Sequence, residues 1–269
     1  MIDPASDRLQ TRIDSRLNLT APTDDSGSVV WMDTRQAPSQ SVSLDAPAQV
    51  TTYFGADYRI GSDLLIGAMV QRDDLSANLP IGGELTASDA YLAGPYAAYK
   101  LSSNLVLGGR AAWGEISEGS TSLSELQNFN TTRLLTEARL SGNWSVGQWQ
   151  LMPAAAITYT GETSVASIAG LSDATVQSTR LTAGPQIRRQ FSAGDGGSIE
   201  PFAFFKTSLD LETIETVPNT ARNTVGGGVA LNQADGYSIQ AVADYSETMG
   251  TELPDQAVSG KVSVSMPLQ

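Results

Sequence analysis

Cysteine and histidine are both absent from the sequence. Without them the chain has no disulfide framework, no thiol nucleophile, no zinc site with Cys or His ligands and no mechanism that uses an imidazole base. Paired carboxylates remain available for acid–base chemistry, but any Asp or Glu pair would serve equally well, so none is singled out. We therefore expect a protein that is not an enzyme, with no catalytic residue, no metal and no cofactor.

The sequence also lacks long apolar runs and has few basic residues. No stretch reaches the ~18 apolar residues that a transmembrane helix requires. Lys and Arg number 16 against 29 Asp and Glu, a net charge of −13 that argues against nucleic acid as a partner, because phosphate binding needs clustered basic side chains. The first residues, Met1-Ile2-Asp3-Pro4, have neither the basic nor the apolar region of a signal peptide, so a secreted form is expected to be a processed or excised fragment.

What the sequence does have is alternation at period 2 over most of its length after about residue 28. In residues 50–60, Phe54 and Tyr58 belong to an apolar row while Asp57 and Arg59 belong to the opposite row. The opposite row of about twelve such segments carries Gly, Ser, Thr and charges of both signs, as a crowded polar lumen does. A soluble β-sandwich also alternates, but its core face favours large aliphatic residues. The pattern predicts an all-β fold, a transmembrane antiparallel β-barrel of about twelve strands over residues 28–269.

The links between these segments alternate strictly between short and long, as the periplasmic turns and extracellular loops of an outer-membrane barrel do. The short links are residues 61–63, 102–104, 146–148, 193–197 and 232–236. The long links are residues 37–49, 73–86, 115–131, 161–178, 212–222 and 247–256. The long links are rich in Asp and Glu, which predicts an acidic outer rim.

Two sets of side chains follow from this placement. Aromatic residues near predicted strand ends are candidates for the interfacial girdles, although generic strand aromatics are an alternative explanation: Trp31, Tyr91, Trp113, Trp144, Trp149, Tyr159, Tyr237 and Tyr245. Charged residues on the polar rows are expected to face the lumen: Asp57, Arg110, Arg133, Glu137, Arg139, Arg180, Arg188, Glu200, Lys206 and Asp210.

Residues 1–27 differ from the rest and predict one short helix before the barrel. Asp3 is a plausible N-cap with Pro4 at the first helical position. An apolar stripe and a basic stripe then recur at i+4 spacing: Leu9, Ile13 and Leu17 beside Arg8, Arg12 and Arg16. We expect this helix to occupy the lumen, with its arginines against Asp57, Glu137, Glu200 and Asp210. A frayed tail or a remnant of a preceding domain is the alternative, because short isolated helices are marginal in water.

Several stretches, in order and spacing, resemble the translocator domain of autotransporters, the proteins of type V secretion. They are Val30-Trp31-Met32, Gly55-Ala56-Asp57-Tyr58, residues 63–68, residues 94–101, residues 139–144, Leu151-Met152-Pro153-Ala154 and Ile199-Glu200-Pro201-Phe202. The resemblance spans roughly residues 28 to 268. It implies a bacterial outer-membrane barrel that contacts lipid, is inserted by the barrel-assembly machinery, and exports or tethers a passenger on its N-terminal side through a helix in the pore. We expect it to be a monomer.

Two departures from the family pattern qualify what the resemblance implies. The sequence ends Met266-Pro267-Leu268-Gln269 rather than on the aromatic residue that the assembly machinery usually reads. Asn18 is the only asparagine of the linker, whereas self-cleaving members carry a pair, so autocatalytic release is not expected. The alternative function is a free-standing porin-like channel, whose passage would be biased toward anions by Lys100, Arg110, Arg133, Arg139, Arg180, Arg188 and Lys206.

Overall fold

The computed structural model describes the N-terminal segment in part and most of the strand-forming sequence. The described residues are 9–10, 12–14, 16–17, 27–37, 49–78, 84–118, 129–165, 174–194, 196–211, 220–233, 238–249 and 255–265. Arg8, Asn18, Tyr237 and residues 266–269 lie outside them. None of the described helical residues forms a segment long and apolar enough to cross a membrane.

The described chain is almost entirely antiparallel sheet, with twelve strands of 10 to 19 residues and two very short ones. The strands are β1 (Ser28–Ala37), β2 (Gln49–Ile60), β3 (Leu64–Asn78), β4 (Glu84–Ser102), β5 (Leu105–Glu118), β6 (Phe129–Gly142), β7 (Trp144–Val146), β8 (Trp149–Val165), β9 (Ala174–Arg189), β10 (Phe191–Ser192), β11 (Ser198–Asp210), β12 (Ala221–Asn232), β13 (Ser238–Met249) and β14 (Asp255–Ser265).

Each long strand pairs with its sequence neighbours in the order β1-β2-β3-β4-β5-β6-β8-β9-β11-β12-β13-β14. The first and last members, β1 and β14, approach each other with Cα atoms within 8 Å, which brings the two edges of the sheet together. This up-and-down connectivity with neighbouring ends is that of an antiparallel barrel, and it confirms the predicted fold class.

The sheet has 14 strands rather than the expected twelve because two strand positions are interrupted. The pairing of β6 with β8 ends at Ser141 and resumes, as β7 with β8, at Trp144. Pro153 of β8 faces this gap, and proline has no N–H to donate to a ladder. The gap between β9 and β10 likewise faces Pro201 of β11. Both short strands are therefore continuations of their predecessors, and the main path keeps twelve members.

The two faces of the sheet are reversed relative to a soluble protein, as the alternation predicts. Large apolar side chains on the outward face are strongly exposed; Trp113, for instance, is 57% exposed. Inward-facing Tyr53, Leu65 and Val106 are almost fully buried. A soluble chain has no way to hide such an outer face, whereas a bilayer solvates it and the closed ladder satisfies the backbone inside the hydrocarbon.

Candidate functional site: the lumen and its helix

The buried centre of the molecule is formed by the N-terminal helix and the inward face of the barrel wall. Leu9, Ile13 and Leu17 are at most 6% exposed and share one side of the helix at i+4 spacing. The backbone N–H of Leu17 donates to the carbonyl of Ile13 at 2.9 Å, an α-helical bond. The three side chains pack in one cluster with wall residues from β2 to β5: Tyr53, Leu65, Met69, Tyr96, Ala98 and Val106. The helix therefore lies inside the barrel, against its N-terminal half.

Asp57 on β2 joins the other side of the helix to the wall. Arg12 Nε donates to its Oδ2 at 2.6 Å, and Arg16 Nε donates to its Oδ1 at 2.9 Å. The hydroxyl of Tyr96 also donates to Oδ2, at 2.9 Å. The Asp57 side chain has no exposed surface, so its charge has to be neutralised by close partners. One carboxylate thus binds both of the helix arginines that the structure describes.

Trp31 and Tyr96 surround this carboxylate with aromatic surface. Trp31 Nε1 donates to the Tyr96 hydroxyl at 3.2 Å, and the Arg12 guanidinium carbon lies 5.0 Å from the Trp31 ring centroid. The cross-strand partners of these two aromatics are Gly55 and Gly67. A Cβ on either glycine would lie 2.4 Å from the facing ring, so glycine is what allows each ring to lie flat on the sheet.

Trp31 corrects a prediction made from the sequence. It was a candidate for the outer girdle, but it packs against the inner cluster, while its neighbour Val30 faces outward and is 84% exposed. Aromatic type alone does not decide between the two rows of a strand. The register places Gly55 opposite Trp31 and so leaves the space that an inward ring needs, but the sequence alone does not reveal this pairing.

The C-terminal end of the helix lies at the end of the barrel that carries the short turns. Lys100 Nζ donates to the Leu17 carbonyl at 3.2 Å, and the backbone N–H of Lys100 donates to Asp63 in the first short turn at 2.7 Å. A positive charge at this position also opposes the negative end of the helix dipole. Arg16 Nη2 donates to the Gly27 carbonyl, just before β1, at 2.7 Å.

Gln10 fixes the helix at a second point on the wall. Its Nε2 donates to Asp14 Oδ1 and to the Ser141 hydroxyl of β6, both at 2.6 Å. The Ser141 hydroxyl also donates to Asp14 Oδ1 at 3.4 Å, and Arg139 lies half-buried on β6, the strand that carries Ser141. Gln10, Ser141 and Lys100 were not expected from the sequence as helix contacts, because their roles depend on the relative height of neighbouring strands.

Most of the remaining charged residues of the predicted lumen set form ion pairs within the wall. Their nitrogen–oxygen distances are 3.2 Å for Arg110–Glu137, 2.6 Å for Arg133–Glu162, 2.5 Å for Arg180–Asp210 and 3.4 Å for Arg188–Glu200. Lys206 lies half-buried on the inward row of β11. Glu137, Glu200 and Asp210 thus pair with wall arginines, and among the described residues Asp57 is the wall carboxylate that receives Arg12 and Arg16.

This pairing removes most of the basic bias on which the channel alternative depends. Each paired arginine has a carboxylate within 4.0 Å, so its field at the lumen centre is largely cancelled. Among the described residues, no group of three or more Asp or Glu is arranged to hold a metal ion. The contacts that the described lumen residues do make are with the helix and with one another.

Comparison with known proteins agrees with this architecture. The family model "Autotransporter beta-domain" matches residues 47–236. Two similar solved structures are the β domain of the Bordetella autotransporter BrkA and the translocator domain of the autotransporter NalP from Neisseria meningitidis. BrkA is 18% identical with a TM-score of 0.61, covering 89% of this chain and 98% of its own. NalP is 18% identical with a TM-score of 0.56, covering 97% of this chain and 95% of its own. No curated protein matches the sequence.

Proposed function

Because the chain belongs to the autotransporter β-domain family, whose members anchor and export an N-terminal passenger across the bacterial outer membrane, we propose that its lumen helix tethers that passenger and closes the pore behind it. The observation that carries this proposal is the convergence of Arg12, Arg16 and Tyr96 on the buried carboxylate of Asp57. A linker that only connects two domains does not require a buried ion-pair cluster. A segment that has to remain docked in the lumen does require one.

The direction of the helix supports the same function. Its C-terminal end lies at the short-turn end, next to the start of β1, so the residues before it run into the barrel and away from that end. In the topology of outer-membrane barrels, short turns are periplasmic and long loops are extracellular. A passenger preceding the helix is then on the cell-surface side.

We also propose that the domain acts as a monomer, is inserted by the barrel-assembly machinery and performs no catalysis itself. One chain supplies both edges of the sheet that come together, which supports a monomeric barrel. The lumen carboxylates described above are engaged in ion pairs and hydrogen bonds. That arrangement fits a structural role better than a reactive one.

Removing residues 1–20 tests the plug. We expect the truncated barrel to fold, because its ladder does not include these residues, and to conduct more than the complete chain in planar bilayers. Deletion opens a polar lumen that the helix, roughly 10 Å across with its side chains, otherwise fills. If the complete and truncated chains conduct alike, the segment is not a plug. A large conductance in both would favour the free-standing channel.

Orientation is tested with single cysteines, since the natural sequence has none. Ser122→Cys lies in the long link after β5, and Ser62→Cys lies in the first short turn. We expect a membrane-impermeant maleimide to label the first variant on intact cells and the second only after the outer membrane is permeabilised. The opposite labelling pattern would invert the topology.

A further inference from the structure

At the short-turn end of β9, the outward row changes from apolar side chains to a charged one. Leu181, Ala183, Pro185 and Ile187 form the exposed outward row, and Arg189 is the next member at period 2. An arginine facing lipid costs ~2–4 kcal/mol at the bilayer midplane but only ~0–1 kcal/mol near an interface. Arg189 is therefore expected at the level of the lipid headgroups.

The position of Arg189 in the sheet agrees with that level. It is the last residue of β9 and pairs in register with Trp149, the first residue of β8. It donates to the side-chain carbonyl of Gln148, which lies in the short turn before β8. Arg189 thus lies at the short-turn rim, on the membrane-facing surface.

Two aromatic rings hold the guanidinium. Its central carbon lies 5.7 Å from the Trp149 ring centroid and 4.7 Å from that of Phe191 on β10. Both rings are 43% exposed, so they are available to the membrane interface, where Trp is enriched in outer-membrane barrels. An outward cation beside an aromatic ring recurs on β3, where the exposed Arg72 lies 5.6 Å from the Tyr91 ring.

We propose that Arg189, Trp149 and Phe191 form a binding site for the phosphate of a phospholipid headgroup in the periplasmic leaflet. A guanidinium presents its donors in a planar fork that matches two phosphate oxygens, and stacking on aromatic rings pre-organises that plane. The exposed rings beside it contact the glycerol and upper acyl region. Because the chain carries a net charge of −13, attraction of an anionic lipid has to come from such a local cation.

The test is lipid binding to the full chain in detergent, measured by native mass spectrometry. The probes are phosphatidylglycerol and a glycosyl diacylglycerol with the same acyl chains but no phosphate. The variants are Arg189→Gln, Arg189→Lys and, as a matched control, Arg59→Gln. Arg59 lies at the same end of the barrel but on the inward row of β2, where it donates to the carbonyls of Gly61 and Ser62. The folded state of each variant is checked by its heat-dependent mobility in gels.

We expect Arg189→Gln to weaken phosphatidylglycerol binding by about fivefold, the effect of one basic residue at an anionic lipid surface. The affinity of Arg189→Lys for phosphatidylglycerol should lie between those of Arg189→Gln and the natural chain, because lysine keeps the charge but lacks the planar fork of donors. Arg59→Gln should bind as the natural chain does, and the glycolipid should bind all variants alike. Equal loss for Arg189→Gln and Arg59→Gln, or no loss in either, would overturn the site. Free glycerophosphoglycerol, the headgroup without its acyl chains, is tested as a competitor of bound phosphatidylglycerol. If it competes as well as the intact lipid does, the site binds a phosphate group and the proposed lipid site is wrong.

Discussion

Replacing Asp57 by Asn removes the charge that Arg12 and Arg16 both contact, while the shape of the side chain is kept. Side-chain exposure is 0% for Asp57, 6% for Arg16 and 21% for Arg12, so the substitution takes a buried counter-charge away from two guanidinium groups that have little access to water. Breaking a buried ion pair from one side costs ~3–5 kcal/mol. Arg12 retains some solvent, so we take the lower end of about 3 kcal/mol. Since ~1.4 kcal/mol is a factor of ten, the docked-to-undocked ratio of the helix should fall by about a hundredfold.

The measurement is the open probability of single barrels in planar bilayers. Asp57→Asn should show frequent openings to the level of the chain that lacks residues 1–20. Asp210→Asn is the matched control, because Asp210 pairs with Arg180 of the wall at 2.5 Å and is not among the described contacts of the helix. Adding Arg12→Gln and Arg16→Gln to Asp57→Asn should partly restore closure, because the positive charges that lost this carboxylate are then removed as well. If Asp57→Asn stays as closed as Asp210→Asn, the carboxylate does not hold the plug.

Two further predictions concern the wall, and both are read from urea unfolding in lipid vesicles. Ala155→Arg, on the exposed outward row of β8, should lower the free energy of unfolding by ~2–4 kcal/mol. Ala154→Arg, on the inward row of the same strand, should lower it by clearly less. Equal penalties would contradict the assignment of the two faces. Gly55→Ala should destabilise the barrel by ~1–3 kcal/mol, because the added Cβ would overlap the Trp31 ring. Gly260→Ala is the control and should be nearly neutral, because its Cβ would meet nothing closer than 4.0 Å. Equal effects would mean that the Trp31 ring moves away freely.

The fold could be predicted from the sequence because a membrane barrel requires two regular patterns in it. Period-2 rows specify two faces, and the alternation of short and long links specifies which ends of the strands lie together. Neither signal could reveal β7 and β10, since they arise from ladder gaps opposite Pro153 and Pro201. A proline in one strand interrupts its neighbour, and the identity of the facing residue depends on register.

The contacts within the lumen were harder to predict from the sequence, because they also depend on strand register. Periodicity assigns charged residues to the lumen row but not to a height along the pore, which depends on the tilt and stagger of neighbouring strands. Four carboxylates were therefore expected to face the helix arginines, and the structure gives them Asp57, while Glu137, Glu200 and Asp210 pair with wall arginines. The prediction for Trp31 was wrong because either face of a strand accepts an aromatic residue.

The placement of the helix against the N-terminal half of the barrel has a consequence for the order of folding. Its described hydrogen bonds and apolar contacts reach no further along the chain than Ser141, and Arg16 and Asp57 are only 41 positions apart. Bringing β1 to β14 must close a loop that includes most of the chain, and each doubling of loop length costs ~0.6 kcal/mol of entropy. Contacts between near neighbours in sequence also form faster. The helix can therefore dock on a curved half-sheet before the last strands arrive, so that the barrel closes around a lumen already filled.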